Sequence, residues 1–175
     1  AVAVNGAATT PTLSLSSATG SEDTPIALNI NAGLIDTDGS ETLSIVIGNM
    51  PTGATLSAGT HNADGSWTLS AGDLSSLTLT APPNWSGALS LSVTAISSEN
   101  GTQASVTQNL AVSVTGVADA PLLSVTNANG NEDVPLSLPI TATPTDLDGS
   151  ETLTVVISGL PAGASLSAGT QNANG

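Results

Sequence analysis

Apolar side chains recur at every second position in short runs along the chain. The runs are Leu13 and Leu15; Ile26, Leu28 and Ile30; Leu43, Ile45 and Ile47; Leu77 and Leu79; Leu89, Leu91 and Val93; and Leu110, Val112 and Val114. A period of two buries one face of an extended strand, whereas a helix would place apolar residues every three to four positions. Clusters of Gly, Pro, Asn and Asp break the runs, roughly every 8 to 12 residues. About seven or eight short strands in this spacing predict an all-β, two-sheet antiparallel sandwich with no helix longer than a turn.

The same pattern returns further along. S-E-D-T-P at 21–25 recurs as N-E-D-V-P at 131–135, D-T-D-G-S-E-T-L at 36–43 as D-L-D-G-S-E-T-L at 146–153, and L-S-A-G-T at 56–60 at 166–170, each at an offset of 110. Laying residues 1–65 on 111–175 needs no gap and gives about 36 identities in 65, Pro11 with Pro121 and Gly20 with Gly130 among them. The expected organisation is therefore tandem β-sandwiches with a 110-residue repeat. Residues 1–11 end a preceding repeat and its linker, 12–120 form a complete one, and 121–175 are the first part of the next. A half sandwich leaves sheet edges unpaired and one apolar face uncovered, so the natural chain is expected to continue past Gly175. No stretch approaches the roughly 20 apolar residues of a membrane span, and any secretion leader or anchor is expected to lie outside this sequence.

Charge narrows the possibilities. The 175 residues include 14 Asp and Glu, one His, and no Lys, Arg or Cys. Binding to nucleic acid or to an anionic membrane needs clusters of basic residues and is not expected. Disulfides and Lys-based isopeptide bonds are impossible. Charged residues are only 8% of the chain against roughly 25% in ordinary globular proteins. Each carboxylate must therefore be solvated, capped by hydrogen-bond donors, or bound to a cation.

Strand direction sorts the acids. If the chain enters a repeat at one end and leaves at the other, the first and last strands run the same way. Glu22, Asp23 and Asp119 then fall at the exit end, while Asp36, Asp38 and Glu41, and their counterparts Asp146, Asp148 and Glu151, fall at the entry end of their repeats. Stacking successive repeats gathers six of these acids at one junction, where only bridging divalent cations relieve the repulsion. Calcium fits best, since it takes six to eight oxygen ligands in flexible geometry, and the missing Cys and single His disfavour zinc or copper. The same logic assigns no end to Asp64, Asp73 and Glu99.

D-T-D-G-S-E-T-L, the E-D-T-P before the second strand, D-G-S-W-T-L at 64–69, L-T-L-T-A-P-P-N-W-S-G at 77–87 and V-A-D-A-P at 117–121 together resemble the immunoglobulin-like or cadherin-like repeats of giant type I-secreted bacterial adhesins of the RTX class. The resemblance covers the whole chain. It implies a surface-anchored extender region with calcium at domain junctions. It also implies roles for Glu22 as the glutamate of the first-strand turn, Asp119 as the linker aspartate, and Asp146 with Asp148 as the D-x-D of the following domain. Thr9 stands where Asp119 stands one period later, so a site using Asp36, Asp38 and Glu41 would lack one ligand.

The remaining polar and aromatic residues suggest no chemistry. Asp64-Gly65 reads as a hairpin turn, its counterpart being Asn174; Trp67 and Trp85 read as core or loop anchors in a chain without Phe or Tyr; and His61, replaced by Gln171 one period on, reads as an exposed loop residue. The N-x-S/T matches at Asn84 and Asn100 arise readily by chance. No nucleophile and base pair is visible, so no enzymatic activity is expected. The expected function is a spacer of an extracellular, cell-surface adhesin supporting adhesion or biofilm formation. Its partners would be neighbouring repeats of the same chain and, through other domains, host or biofilm components. The alternatives are a filament subunit and a carbohydrate-binding sandwich.

Overall fold

A computed structural model describes residues 6–172. Residues 1–5 of the expected preceding repeat, and Asn174, lie outside the described residues. The chain divides into two compact units, one formed by the chain up to Ala118 together with Asp146–Ser150, the other by Asp119–Thr145 and the chain from Glu151 onward.

The first unit contains strands β1 (Thr12–Ser16), β2 (Ala18–Ser21), β3 (Ile26–Ala27), β4 (Asn29–Gly33), β5 (Thr42–Gly48), β6 (Thr55–Leu56), β7 (Thr60–His61), β8 (Trp67–Ser70), β9 (Thr78–Thr80), β10 (Gly87–Glu99) and β11 (Thr102–Thr115). A single 3-10 turn at Ala71–Leu74 separates β8 from β9. Six strands form one sheet in the order β2-β11-β10-β5-β8-β7. Across the core lie the pair β1-β4 and the sheet β3-β9-β6. Among the described residues no helix is long and apolar enough to cross a membrane. The chain is thus all-β with a sandwich of sheets, as its alternation predicts.

More strands appear than the pattern counts, because two of its runs change partners midway. The first run pairs with β4 as β1, then crosses at Ser17 to lie beside β11 as β2. The second breaks at Leu28, whose amide donates to Leu77 O at 2.9 Å, so that β3 pairs with β9 and β4 with β1. The β2-β11 pair is parallel, an exception to the expected antiparallel sandwich. It follows from the first and last strands running the same way through the unit.

The central hairpin β10-β11 pairs without interruption from Gly87 with Val114 to Glu99 with Thr102. At about 3.4 Å per residue, β10 spans roughly 40 Å. Its odd-numbered positions from Leu91 to Glu99 are all buried, and on β5 Ile45 and Ile47 face the same core. Leu56, Leu69, Leu77, Leu79, Leu110 and Val112 complete that core, with Trp67 and Trp85 packed at its margin. His61 is exposed, but it sits on the edge strand β7 rather than in a loop, its ring 5.1 Å from that of Trp67.

The second unit contains β12 (Leu122–Val125) and β13 (Ile140–Thr143), paired antiparallel with Leu122 opposite Thr143 and Val125 opposite Ile140. In the first unit Thr12 stands opposite Gly33 and Leu15 opposite Ile30, the same register 110 residues earlier. Backbone conformation recurs too: Asp23 and Asp133 have φ of 55° and 58°, Gly39 and Gly149 of 92° and 89°. Residues 152–158, which copy the pattern of β5, form no strand, and Val155 is 47% exposed where Ile45 is fully buried. β5 is held between β10 and β8, and without such neighbours an extended segment has no ladder and no opposing face.

Leu28→Ala should therefore cost about 2–5 kcal/mol in urea unfolding, and its counterpart Leu138→Ala, which is half exposed, about 1 kcal/mol or less. Equal losses would contradict this assignment of the core.

Candidate metal centre

Glu22 follows β2, where its amide continues the ladder to Thr115 O at 3.0 Å. That position turns its side chain inward, and only 2% of the residue is exposed. One carboxylate oxygen, Oε1, accepts the amide of Val117; the other, Oε2, is buried and has no hydrogen-bond partner. A buried carboxylate oxygen without a donor is expensive unless something else satisfies it.

Asp146 and Asp148 supply the rest. In the turn D-L-D-G-S, Asp146 Oδ1 accepts the amide of Asp148 at 2.8 Å, and Asp148 Oδ1 accepts the amide of Ser150 at 2.7 Å. Gly149 takes the positive φ that this turn needs. Ser150 Oγ donates to Asp146 Oδ2 at 3.3 Å, and the amide and hydroxyl of Ser86 both donate to Asp148 Oδ2 at 2.7 Å. Asp146 is buried and Asp148 exposed.

Ligand oxygens of Glu22, Asp146 and Asp148 lie within 4.8 Å of one another. Among the described residues this is the one group of three or more His, Cys, Asp or Glu side chains so placed. Its geometry suits a metal ion: three carboxylates converge, and hydrogen-bond donors hold each of them in orientation. No Lys or Arg exists to neutralise it.

The other predicted ligands have separate places. Asp23 Oδ1 accepts the amide of Asn84 at 3.0 Å, tying its turn to the loop before β10. Asp36 Oδ1 accepts the amide of Asp38 at 3.1 Å and Asp38 Oδ1 that of Ser40 at 2.8 Å, the geometry of Asp146 and Asp148 repeated. Glu41 is buried and its Oε1 accepts the amide of Thr9; in the second unit Glu151 accepts the amide of Asp119 in the same way. Of the acids that the pattern leaves without an end, Asp64 caps its hairpin through the amide and hydroxyl of Ser66, and Asp73 closes the 3-10 turn onto Ser70. Glu99 is different, being 5% exposed at the end of β10. Its place on the inward side of an unbroken alternation from Leu89 is the signal that would have found it. Nothing in the spacing singles out Ser86 as a donor to Asp148.

The hydroxyl of Ser86, followed by the amide of Ser150, holds the Asp148 carboxyl well below the usual carboxylate range. Stability from a lowered carboxyl is present above its unfolded-state value and lost as pH falls through the folded one. Ser86→Ala should therefore raise the Asp148 titration midpoint, read by carboxyl carbon NMR, and lower stability at neutral pH but not in strong acid. An unshifted midpoint would show that the Ser86 hydroxyl does not bear on this carboxylate. Comparison with protein-family models, with curated proteins and with solved structures finds no match for this chain.

Proposed function

We propose that this chain is a spacer segment of a secreted bacterial cell-surface adhesin whose β-sandwich repeats are stiffened by calcium. The observation that carries the reading is the convergence of Glu22, Asp146 and Asp148, the buried Glu22 carboxylate keeping one oxygen that no donor satisfies. The donor set is oxygen alone, which matches a hard cation and the flexible coordination of calcium rather than a thiophilic metal. Glu22 belongs to one sequence repeat and Asp146 and Asp148 to the next, so an ion held by all three links successive repeats along the chain. Asp119 completes the acid set that the adhesin resemblance implies, and Glu151 joins it through its expected place at the entry end of the following repeat.

Such a segment needs no catalytic group. Its work is to hold a distant adhesive domain away from the cell, and its Ser- and Thr-rich composition, acidic and without Lys or Arg, suits an extracellular surface. Its partners on this reading are neighbouring repeats, with host or biofilm contacts made elsewhere in the parent protein.

Calcium at 100 times its dissociation constant contributes about 2.7 kcal/mol per site, which for a chain of this size raises the melting temperature by about 5–10 °C. That rise should appear when the metal-free chain is melted with calcium instead of chelator. It should shrink in Glu22→Gln and in Asp148→Asn and persist in Asp64→Asn, whose carboxylate only caps a turn. The same calcium response in all three variants would overturn the ligand assignment. Small-angle scattering of the chain should show a longer particle with calcium, and an unchanged profile would count against stiffening.

A further inference from the structure

The turn D-x-D-G-S occurs at 36–40 and at 146–150, and the structure holds the two copies differently. Their backbones agree, Gly39 and Gly149 having φ of 92° and 89°. In the first copy, among the described residues, Asp38 accepts only from the amide and hydroxyl of Ser40. In the second, Asp148 Oδ2 accepts both the amide and the hydroxyl of Ser86, 62 residues away in sequence, while the Ser150 hydroxyl turns to Asp146 Oδ2. Asp146 is 3% exposed, whereas Asp36 is only half-buried. The turn 146–150 accordingly groups with the first compact unit, although its sequence belongs to the following repeat.

The surface that receives this turn is held by contacts of its own. On one side of Ser86 the amide of Asn84 donates to Asp23 Oδ1 at 3.0 Å, and Trp85 packs against the core. On the other side Gly87, at φ 137°, passes so close to the Trp85 indole that a Cβ there would lie 3.2 Å from it. Gly116, just past β11, leaves room for the turn: a Cβ on it would stand 3.1 Å from both Cβ and Oγ of Ser150, and 3.5 Å from Ser86 Oγ. The one position at which the two turns differ is turned to solvent. Leu147, where the first turn has Thr37, is 83% exposed.

From the pinned loop, the bare Gly116 and the two turns in different states, we infer that Ser86 and Gly116 form a docking surface for the D-x-D-G-S turn of the following repeat, and that it engages without an ion. Both Asp148 oxygens have donors of their own, Oδ1 the Ser150 amide and Oδ2 the Ser86 amide and hydroxyl. Hydrogen bonds to an ionised carboxylate are about twice as strong as neutral ones. The recognised features are the second Asp of the turn, which Ser86 grips, and the small Ser that fits against Gly116. Ser86 is thus a positioning residue, since it fixes Asp148 beside Glu22 and Asp146. The inference rests on the repeat organisation and not on calcium. Asp36–Ser40 presents the same recognition group with no such surface against it among the described residues.

The test follows amide hydrogen exchange by NMR in the full chain, first with chelator and then with calcium. In chelator the Ser86 amide should be protected, and the Asp148 amide should exchange about tenfold more slowly than its counterpart in the first turn, Asp38. Ser86→Ala and, separately, Gly116→Val should bring Asp148 to the rate of Asp38. Ser86→Thr, which keeps the hydroxyl, should retain most of the protection, and the core amides of Leu91 and Val112 should be unchanged throughout. If either disruptive variant fails to fold, the other decides. Exchange that is unchanged in the folded variants would overturn the docking surface. Protection of Ser86 and Asp148 that appears only with calcium would overturn it too, and would leave the calcium link standing. Protection in chelator, with no effect of calcium on melting, would uphold the surface and overturn the calcium link.

Discussion

Fourteen carboxylates and no basic side chain but one exposed His set the terms for this molecule. In most proteins a buried acid is met by Arg or Lys. Here every acid has to find backbone amides, hydroxyls, water or a dissolved cation. The fold uses the first two in its tight turns. Asp36, Asp38, Asp64 and Asp73 sit in tight turns, and each accepts from an amide within three residues, with adjacent Ser hydroxyls serving all but Asp36. Hydroxyl donation of this kind holds Asp38 and Asp64 below the usual carboxylate range, and the amide of Ser70 does the same for Asp73. The abundance of Ser and Thr around these acids is thus a chemical necessity of a chain without cations.

What local donors do not reach is concentrated where strands end. A strand turns alternate side chains inward, so an acid in the inward register is buried whether or not a partner awaits it. Glu22, Glu41 and Glu99 all hold such positions, and two of them leave an oxygen with no donor. These residues separate in kind from the turn acids. The turn acids are satisfied by local donors, while Glu22 and Glu41 each keep one buried oxygen without a donor.

Much of this was legible in the sequence, for a physical reason. The two-residue period encodes which side of a strand is buried, and the core residues at Leu28, Ile45, Leu79, Leu91 and Val112 follow it without exception. The turn chemistry of D-x-D-G-S was also visible, because Asp and Gly at those spacings serve one backbone geometry. The crossing of the first strand between sheets was not visible, since Ser16, Ser17 and Ala18 carry no periodic signal at the switch. The carboxylate cluster was read in part. Glu22, Asp146 and Asp148 come together, but Asp23 is taken up by the amide of Asn84, an interaction that depends on how a loop about 60 residues away is folded. Glu99 was easily missed because an acid at the end of an apolar run looks like the start of a turn, although the alternation from Leu89 carries it onto the inward face.

The parallel pairing of β2 with β11 bears on how the unit carries load. Ala18–Ser21 lie beside Val112–Thr115, the second strand of the unit beside its last, and both run the same way. Tension applied through the chain at the two ends of the unit pulls these strands past each other along their length. Their hydrogen bonds then share the force and must rupture together, whereas an antiparallel hairpin pulled at its open end unzips one bond at a time. Resistance to stretching is set by the barrier to rupture rather than by equilibrium stability. A unit joined in this way behaves as a tether with a high yield force.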